Sequence, residues 1–524
     1  MVRTAEPHLS APPLSASGQR AAPQRAALAA GIVALCALAL APVLGLGLFS
    51  FAGPDALAGL RLGSDGPRQL LNTLGLVLVV GLLAAVLGTA TGWLTARCSF
   101  PGRRGLRIAQ LLPLATPSYL LAATLIDLAS RLGLRLHGFA PTAMVLVLST
   151  YSYVFLLSTE SFSVSGRRQL EACRSLGVGP WGSFRRVALP MALPAIGAGM
   201  ALGGMEVVNE LGAVELLGVP TLSAGILQRW QQDADPQGAV ALALLALVIV
   251  ALLVGAERNL RRRSRCWNLG NDGDSDNRWA LIGSRRWLAQ LVCVLPPLLS
   301  LGLPLLWSAL SWDQLQAESL PELLELGGRS FGLALLAALL TVGAGLVLAI
   351  AKRWIANPLL QRLSFVAGLG YAIPGTVLAL ALMLIGGPLA LAPLLLLVWG
   401  YGDRFLAVAK GGLDAALERI PPSVDEAATS LGQSWAGVLG RIHLPLLRGP
   451  LLVGALLVFV DTVKELPLTF ALRPFDFDTL AVRVYQYASD ERVGAALVPA
   501  LLILALGLLA AAALIPSLER LERR

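Results

Sequence analysis

Charge is scarce in this chain: 14% of its 524 residues are Asp, Glu, Lys or Arg, while 56% are hydrophobic. A soluble domain carries about a quarter charged residues, so that class is excluded. Histidine is rarer still, and His8, His137 and His443 are too dispersed in sequence to suggest a metal cluster. The five cysteines, Cys36, Cys98, Cys173, Cys266 and Cys293, contain no C-x-x-C pair. Neither a disulfide framework nor a zinc site is indicated, and no metal ligands are assigned. A G-x-x-x-x-G-K-[S/T] phosphate loop is missing too, and no catalytic residues can be assigned. If such a chain depends on ATP, a separate subunit must hydrolyse it.

What is present is a series of apolar runs, and mean hydropathy reaches +0.71. A helix needs about 20 residues to cross the hydrocarbon layer. Twelve candidate runs lie near 27–51, 72–95, 108–130, 140–160, 191–217, 238–256, 287–310, 330–351, 363–386, 388–408, 446–466 and 494–516. These runs are far longer than barrel strands, and backbone polar groups must be satisfied inside a bilayer, so the spans are helical. The fold class is an all-α polytopic membrane protein. The first run is read as a retained helix rather than a cleaved signal, because it is long and lacks a clear small-x-small cleavage site.

The pattern divides into a flexible tail at 1–25, a first membrane domain at 26–256, a charged linker at 257–286, a second domain at 287–518 and a short tail at 519–524. Lys and Arg accumulate in alternate loops. Arg97, Arg103, Arg104 and Arg107 follow the second run; Lys352, Arg353 and Arg362 follow the eighth; Arg258, Arg261, Arg262, Arg263 and Arg265 open the linker. Arg167, Arg168, Arg174, Arg185 and Arg186 occupy a later loop of the first half, and Arg404, Lys410, Arg419, Arg441 and Arg448 its counterpart. With twelve spans all of these fall on one side, so both termini and the linker are expected to be cytoplasmic. The net charge of +9 is then a topology signal, with no nucleic-acid partner to invoke. The linker turn with Asn271, Asp272, Asp274, Asp276 and Asn277 lacks the downstream glutamate of a calcium loop and reads as solvated linker.

One stretch occurs twice. Glu171-Ala172-Cys-Arg-Ser-Leu-Gly177, followed by Leu189-Pro190, returns 255 residues later as Glu426-Ala427-Ala428-Thr-Ser-Leu-Gly432, followed by Leu444-Pro445. Each copy reads as a short helix closed by glycine, and Ser423 with Glu426 has the spacing of a capping box. An interfacial helix against anionic lipid would use the neighbouring arginines equally well. Two copies in one register favour a duplicated docking site.

Glu-Ala-Ala-x-x-x-Gly with a later Leu-Pro resembles the cytoplasmic signature loop of ABC importer permeases, the element that docks into the ATPase subunit. The second copy matches fully, and the first departs at Cys173. The resemblance covers nearly the whole chain as two fused six-helix halves and implies a type I importer fold in a bacterial inner membrane. It implies ATPase-coupling roles for Glu171, Ala172, Gly177, Pro190, Glu426, Ala427, Ala428, Gly432 and Pro445. It also implies ATP-binding cassette ATPase subunits and a periplasmic solute-binding protein as partners, with ATP used by the partner and no cofactor in this chain.

At the same offset, Glu206-x-x-Asn209-Glu210-Leu211 aligns on Asp461-x-x-Lys464-Glu465-Leu466, each just inside a membrane run. Thr116-Pro117-Ser118-Tyr119 aligns on Ile373-Pro374-Gly375-Thr376 at an offset of 257. Intramembrane ionisable groups cost roughly 2.5–3.5 kcal/mol at a helix centre, so they face a water-filled path or a partner. Glu206, Asn209, Glu210, Asp461, Lys464 and Glu465 are candidates for a translocation path or gate, with Asp127 next. Pairing across the half interface, or a position near the outer headgroups, would account for the same residues.

Asn209-Glu-Leu-Gly-Ala-Val-Glu-Leu-Leu-Gly218, Lys464-Glu-Leu-Pro-Leu-Thr469 and Arg473-Pro-Phe-Asp-Phe-Asp-Thr-Leu480 with Tyr485–Arg492 are similar to the iron(III) branch of these permeases. That likeness implies ferric iron delivered to an outer loop at 473–492. Thiamine and phosphonate permeases share the architecture. An ion-coupled secondary transporter would explain Glu210 and Glu465 but not the paired Glu-to-Gly-to-Pro register, and a scaffold without transport activity would show no solute-dependent ATPase stimulation.

Overall fold

The computed structural model describes residues 18–51, 62–164, 172–173, 175–265, 278–314, 319–355, 357–368 and 370–522. The first half contains α1 (Gly18–Ser50), α2 (Gly66–Arg97), α3 (Ser118–Arg131), α4 (Phe139–Val164), α5 (Leu189–Asn209), α6 (Gly212–Leu216), α7 (Leu222–Gln231) and α8 (Pro236–Arg265). The second contains α9 (Ser284–Pro297), α10 (Leu320–Trp354), α11 (Gly375–Gly386), α12 (Pro393–Leu417), α13 (Pro422–Ser430), α14 (Leu444–Lys464), α15 (Pro467–Leu472), α16 (Leu480–Ser489) and α17 (Val493–Glu522). The strand content of the described residues is a two-residue parallel pair, Cys98–Ser99 on Trp279–Ala280.

Among the described residues eight helices are long and apolar enough to span a membrane, and a ninth is counted if Arg103–Ala115 and Ser118–Arg131, bent by 92°, form one broken span. The bend falls at Thr116-Pro117, where proline removes a backbone donor and forces its predecessor out of the helical region. Two other apolar runs lie in shorter or more polar helices: α11 has 12 residues, and α12 carries Asp403, Arg404 and Lys410. Four boundaries differ from the sequence reading. Residues 18–25 begin α1 rather than a tail; α8 continues through the linker's first arginines to Arg265; α9 starts at Ser284; and α17 continues past 518 to Glu522. Residues 1–17 and 266–277, with the asparagine and aspartate turn, lie outside the described residues.

The offset seen in sequence recurs in three dimensions. α5 and α14 are both 21 residues long and 255 apart, and each is preceded by a five-residue π-helical turn, Phe184–Ala188 and Leu439–His443. α7 and α16 are both tied at their first residue to a hydroxyl of an earlier helix: Leu222 N–H donates to Thr73 Oγ1 (3.0 Å) and Leu480 N–H to Ser330 Oγ (2.8 Å). α5 crosses α4 so closely that a Cβ on Gly199 would lie 2.6 Å from Val154 Cα. Small residues permit such approaches where lipid offers little drive for helix association.

Each half surrenders its first helix to the other. α1 buries Ile32, Cys36 and Ala39 against Leu348, Ala351, Ala367 and Leu406, and Trp399 Nε1 donates to Leu38 O (3.1 Å). α9 buries Ala289 and Cys293 with Trp93, Phe100, Tyr151 and Phe155. Gln110 Nε2 donates to Cys293 O (2.6 Å), and the Cys98–Trp279 strand pair fastens the linker to the same corner. Leu48, Val86, Leu252 and Leu452 are exposed, as residues facing lipid tails would be.

Candidate functional site

The repeat forms one device twice. In the first copy Leu176 N–H donates to Ala172 O and Val178 N–H to Cys173 O; in the second Leu431 N–H donates to Ala427 O and Gln433 N–H to Ala428 O. Gly177 (φ 73°) and Gly432 (φ 79°) take the left-handed conformation that closes this helix end, at little cost for glycine. Leu176 and Leu431 are 81% and 82% exposed, two apolar side chains presented to solvent at equivalent places. Glu426 and Ala427 are exposed and Ala428 is buried. Pro190 and Pro445 are the second residues of α5 and α14, directly after the π-helical turns that run into them. Glu171 lies outside the described residues.

The capping box expected from Ser423 and Glu426 does not form. α13 starts two residues earlier than that box requires, at Pro422, with no side-chain cap, because proline is pre-organised for the first helical position. The box occurs instead at Ser319 and Glu322, at the start of α10. α13 is anchored by Arg353, whose guanidinium donates to Asp425 Oδ2 (2.6 Å), Leu417 O (2.9 Å), Ile420 O (2.9 Å) and Pro421 O (3.1 Å). His443 Nε2 lies 2.9 Å from Asp425 Oδ1, and Trp354 packs edge-on against Trp435.

α5 and α14 lead from the repeat to a cavity. At 1.5 Å per residue each covers about 30 Å. All six path candidates, Glu206, Asn209, Glu210, Asp461, Lys464 and Glu465, line one cavity of about 90 Å³ between the halves, large enough for several waters. Its walls also include Thr116, Ser118 and Tyr119 from the bend, Ser149 and Tyr153 from α4, and Arg404 from α12.

Glu210 and Glu465 lie one residue past the ends of α5 and α14, not inside a helix as expected, and cap the helices that follow. Glu210 Oε1 accepts from Ala213 N–H (2.9 Å) and Oε2 from Ser118 Oγ (2.5 Å). Glu465 Oε1 accepts from Leu468 N–H (2.9 Å), and Oε2 from Thr469 N–H (3.0 Å) and Thr469 Oγ1 (2.8 Å). A carboxylate at a helix start is stabilised by the free N–H groups there. These two acids line the cavity, and their hydrogen bonds are to residues of their own half rather than across the half interface.

The halves interlock at this level. Asn209 Oδ1 accepts from Gly375 N–H (2.6 Å) and from Arg404 Nη1 (3.2 Å), and the same guanidinium reaches Ile373 O (3.1 Å). In return Lys464 Nζ donates to Leu114 O (2.8 Å) while pairing with Asp461 Oδ1 (2.9 Å). Tyr485 OH donates to Glu215 Oε2, a further bond across the halves. Asp127 is elsewhere, held by Arg131 Nε (2.9 Å) and Trp307 Nε1 (3.1 Å).

Sequence reasoning missed Arg404, read as a loop cation; it is 5% exposed, inside α12. The signal was available in Asp403-Arg404 interrupting an apolar run. The segment 473–492 is likewise less open than its reading as an outer loop implied. Phe475 is fully exposed, but Leu480, Ala481, Val482 and Val484 belong to a buried cluster.

A helical membrane bundle with a polar cavity between two repeated halves defines a transport protein. Residues 84–265 match the family of binding-protein-dependent transport system inner membrane components. The chain belongs to this family, and is a multi-pass inner-membrane permease of the ABC importer type. It is 27% identical over 448 residues to the Fe(3+)-transport system permease protein FbpB 2 of Haemophilus influenzae, covering 83% of this chain and 87% of that one. It is 32% identical over 199 residues to a probable sulfate transport system permease protein cysT of Nephroselmis olivacea, 35% of this chain and 70% of that one. A probable molybdenum ABC transporter permease protein of Haloferax volcanii is 34% identical over 182 residues, 33% of this chain and 67% of that one.

Proposed function

We propose that this chain imports ferric iron handed over by a periplasmic binding protein, with ATP hydrolysed by separate cassette subunits. The observation that carries the substrate is the sign of the cavity: four carboxylates, Glu206, Glu210, Asp461 and Glu465, face two cations, Arg404 and Lys464. A net negative wall lowers the energy of a cation crossing a low-dielectric layer and raises that of an oxyanion. The Fe(3+) relative also spans both halves, whereas the sulfate and molybdenum relatives match about a third of this chain.

The repeat-bearing loops, with both termini, face the cytoplasm in this reading. Exposed Leu176 and Leu431, with Glu171 and Glu426, seat on the two ATPases. ATP binding draws the loops together, and α5 and α14 carry that displacement to the cavity, which opens outward. The domains at 26–256 and 287–518 then move as functional halves. Uptake of radioactive ferric iron by cells producing the complex tests the substrate. Neutralising Glu206 and Asp461 together should abolish uptake while the complex still assembles; undiminished uptake, or transport of molybdate in place of iron, would overturn the assignment.

A further inference from the structure

We propose that the Lys464 ammonium is a tethered occupant of a cation site formed by Glu206 and Asp461, and that a hard trivalent cation crosses the cavity by displacing it. The inference rests on the reading of the cavity as a cation path. Glu206 and Asp461 occupy equivalent positions 255 residues apart, and both line the cavity. The cation beside them is Lys464. Lys464 Nζ holds Asp461 Oδ1 at 2.9 Å and Leu114 O of the other half at 2.8 Å, with its side chain 26% exposed. Glu206 has no hydrogen-bond or ion-pair partner among the described residues, although it lies within electrostatic reach of Lys464.

Two neutral oxygens complete the set. Thr116 and Tyr119 are 5% and 3% exposed and line the same cavity, yet their hydroxyls have no hydrogen-bond partner. Carboxylates joined by hydroxyl oxygens suit a hard cation far better than a soft one. Among the described residues no group of three or more His, Cys, Asp or Glu is gathered closely enough to hold a metal ion. The site is therefore loose while lysine fills it, as a waypoint for cargo must be. Arg404 cannot play this part, because Asn209 and Ile373 O fix it. The first half offers no rival cation, since Asn209 stands where the second half has Lys464.

Tb³⁺ tests the inference, being a hard trivalent ion whose emission is excited by a neighbouring tyrosine; Tyr119 and Tyr153 line the cavity. With the assembled transporter in lipid nanodiscs, Lys464→Gln should tighten tyrosine-sensitised Tb³⁺ binding by about tenfold or more, because a competing charge is removed. Lys464→Arg should behave as the unaltered protein, and adding Glu206→Gln to Lys464→Gln should reverse the gain. Equal binding by Lys464→Gln and the unaltered protein, with loss on Glu206→Gln, overturns the tethered-cation role but keeps the cation path. Absence of sensitised binding in every assembled variant overturns the cation path itself. Asp461→Asn gives an independent reading if Lys464→Gln fails to assemble: sensitised emission should be lost, and unchanged emission contradicts the proposal.

Discussion

The two halves of the molecule agree in geometry and differ in chemistry. At the repeat, Gly177 and Gly432 close equivalent helices, the hydrogen bonds fall on equivalent residues and Leu176 and Leu431 are equally exposed. At the cavity, Ser149 and Asn209 of the first half occupy the positions equivalent to Arg404 and Lys464 of the second. In the proposed function the repeat is worked by two similar motor subunits, and such a device gains from sameness. A pathway on the axis between halves needs only one copy of each cation, so its two walls are free to diverge.

The comparison breaks most severely at the repeat. Leu176→Asp and Leu431→Asp should each cut substrate-stimulated ATPase activity by about thirtyfold, the loss expected for one apolar anchor at an interface. Unequal losses would show that the motors are not engaged alike. Gly432→Trp strains the left-handed position as well and should uncouple ATP hydrolysis from uptake, with the chain still in the membrane.

Smaller effects separate the capping acids. Glu465 accepts three hydrogen bonds and Glu210 two. Hydrogen bonds to a charged group are worth roughly 1.5–3 kcal/mol each. Glu465→Gln should therefore lower the thermal midpoint in detergent more than Glu210→Gln. Asn209→Ala removes the acceptor shared by Gly375 and Arg404 and should cost about 1–3 kcal/mol, read in the same melts. The mildest change is Arg353→Ala, which frees α13 and should speed amide exchange over residues 422–430 without altering exchange in the cavity helices.

Much of this design was legible in the residues. Fixed spacing exposed the repeat, and acids inside apolar runs exposed Glu206, Glu210, Asp461 and Glu465, since such groups are costly in lipid without a purpose. Arg404 was hidden because a charge near a run's end reads as a loop charge. The exchange of α1 and α9 between halves left no trace in composition, because a helix face against lipid and one against protein are equally apolar. α16 falls in the segment 473–492 that reads as an outer loop; its packed apolar face is what folds it back against the core.

The most direct test is the ATPase activity of the complex, reconstituted in lipid with its motor and binding proteins. Binding protein loaded with ferric iron should stimulate hydrolysis well above the unloaded protein, and Leu176→Asp with Leu431→Asp should remove the stimulation. Stimulation by an oxyanion-loaded protein and none by iron would contradict the cation pathway at its centre.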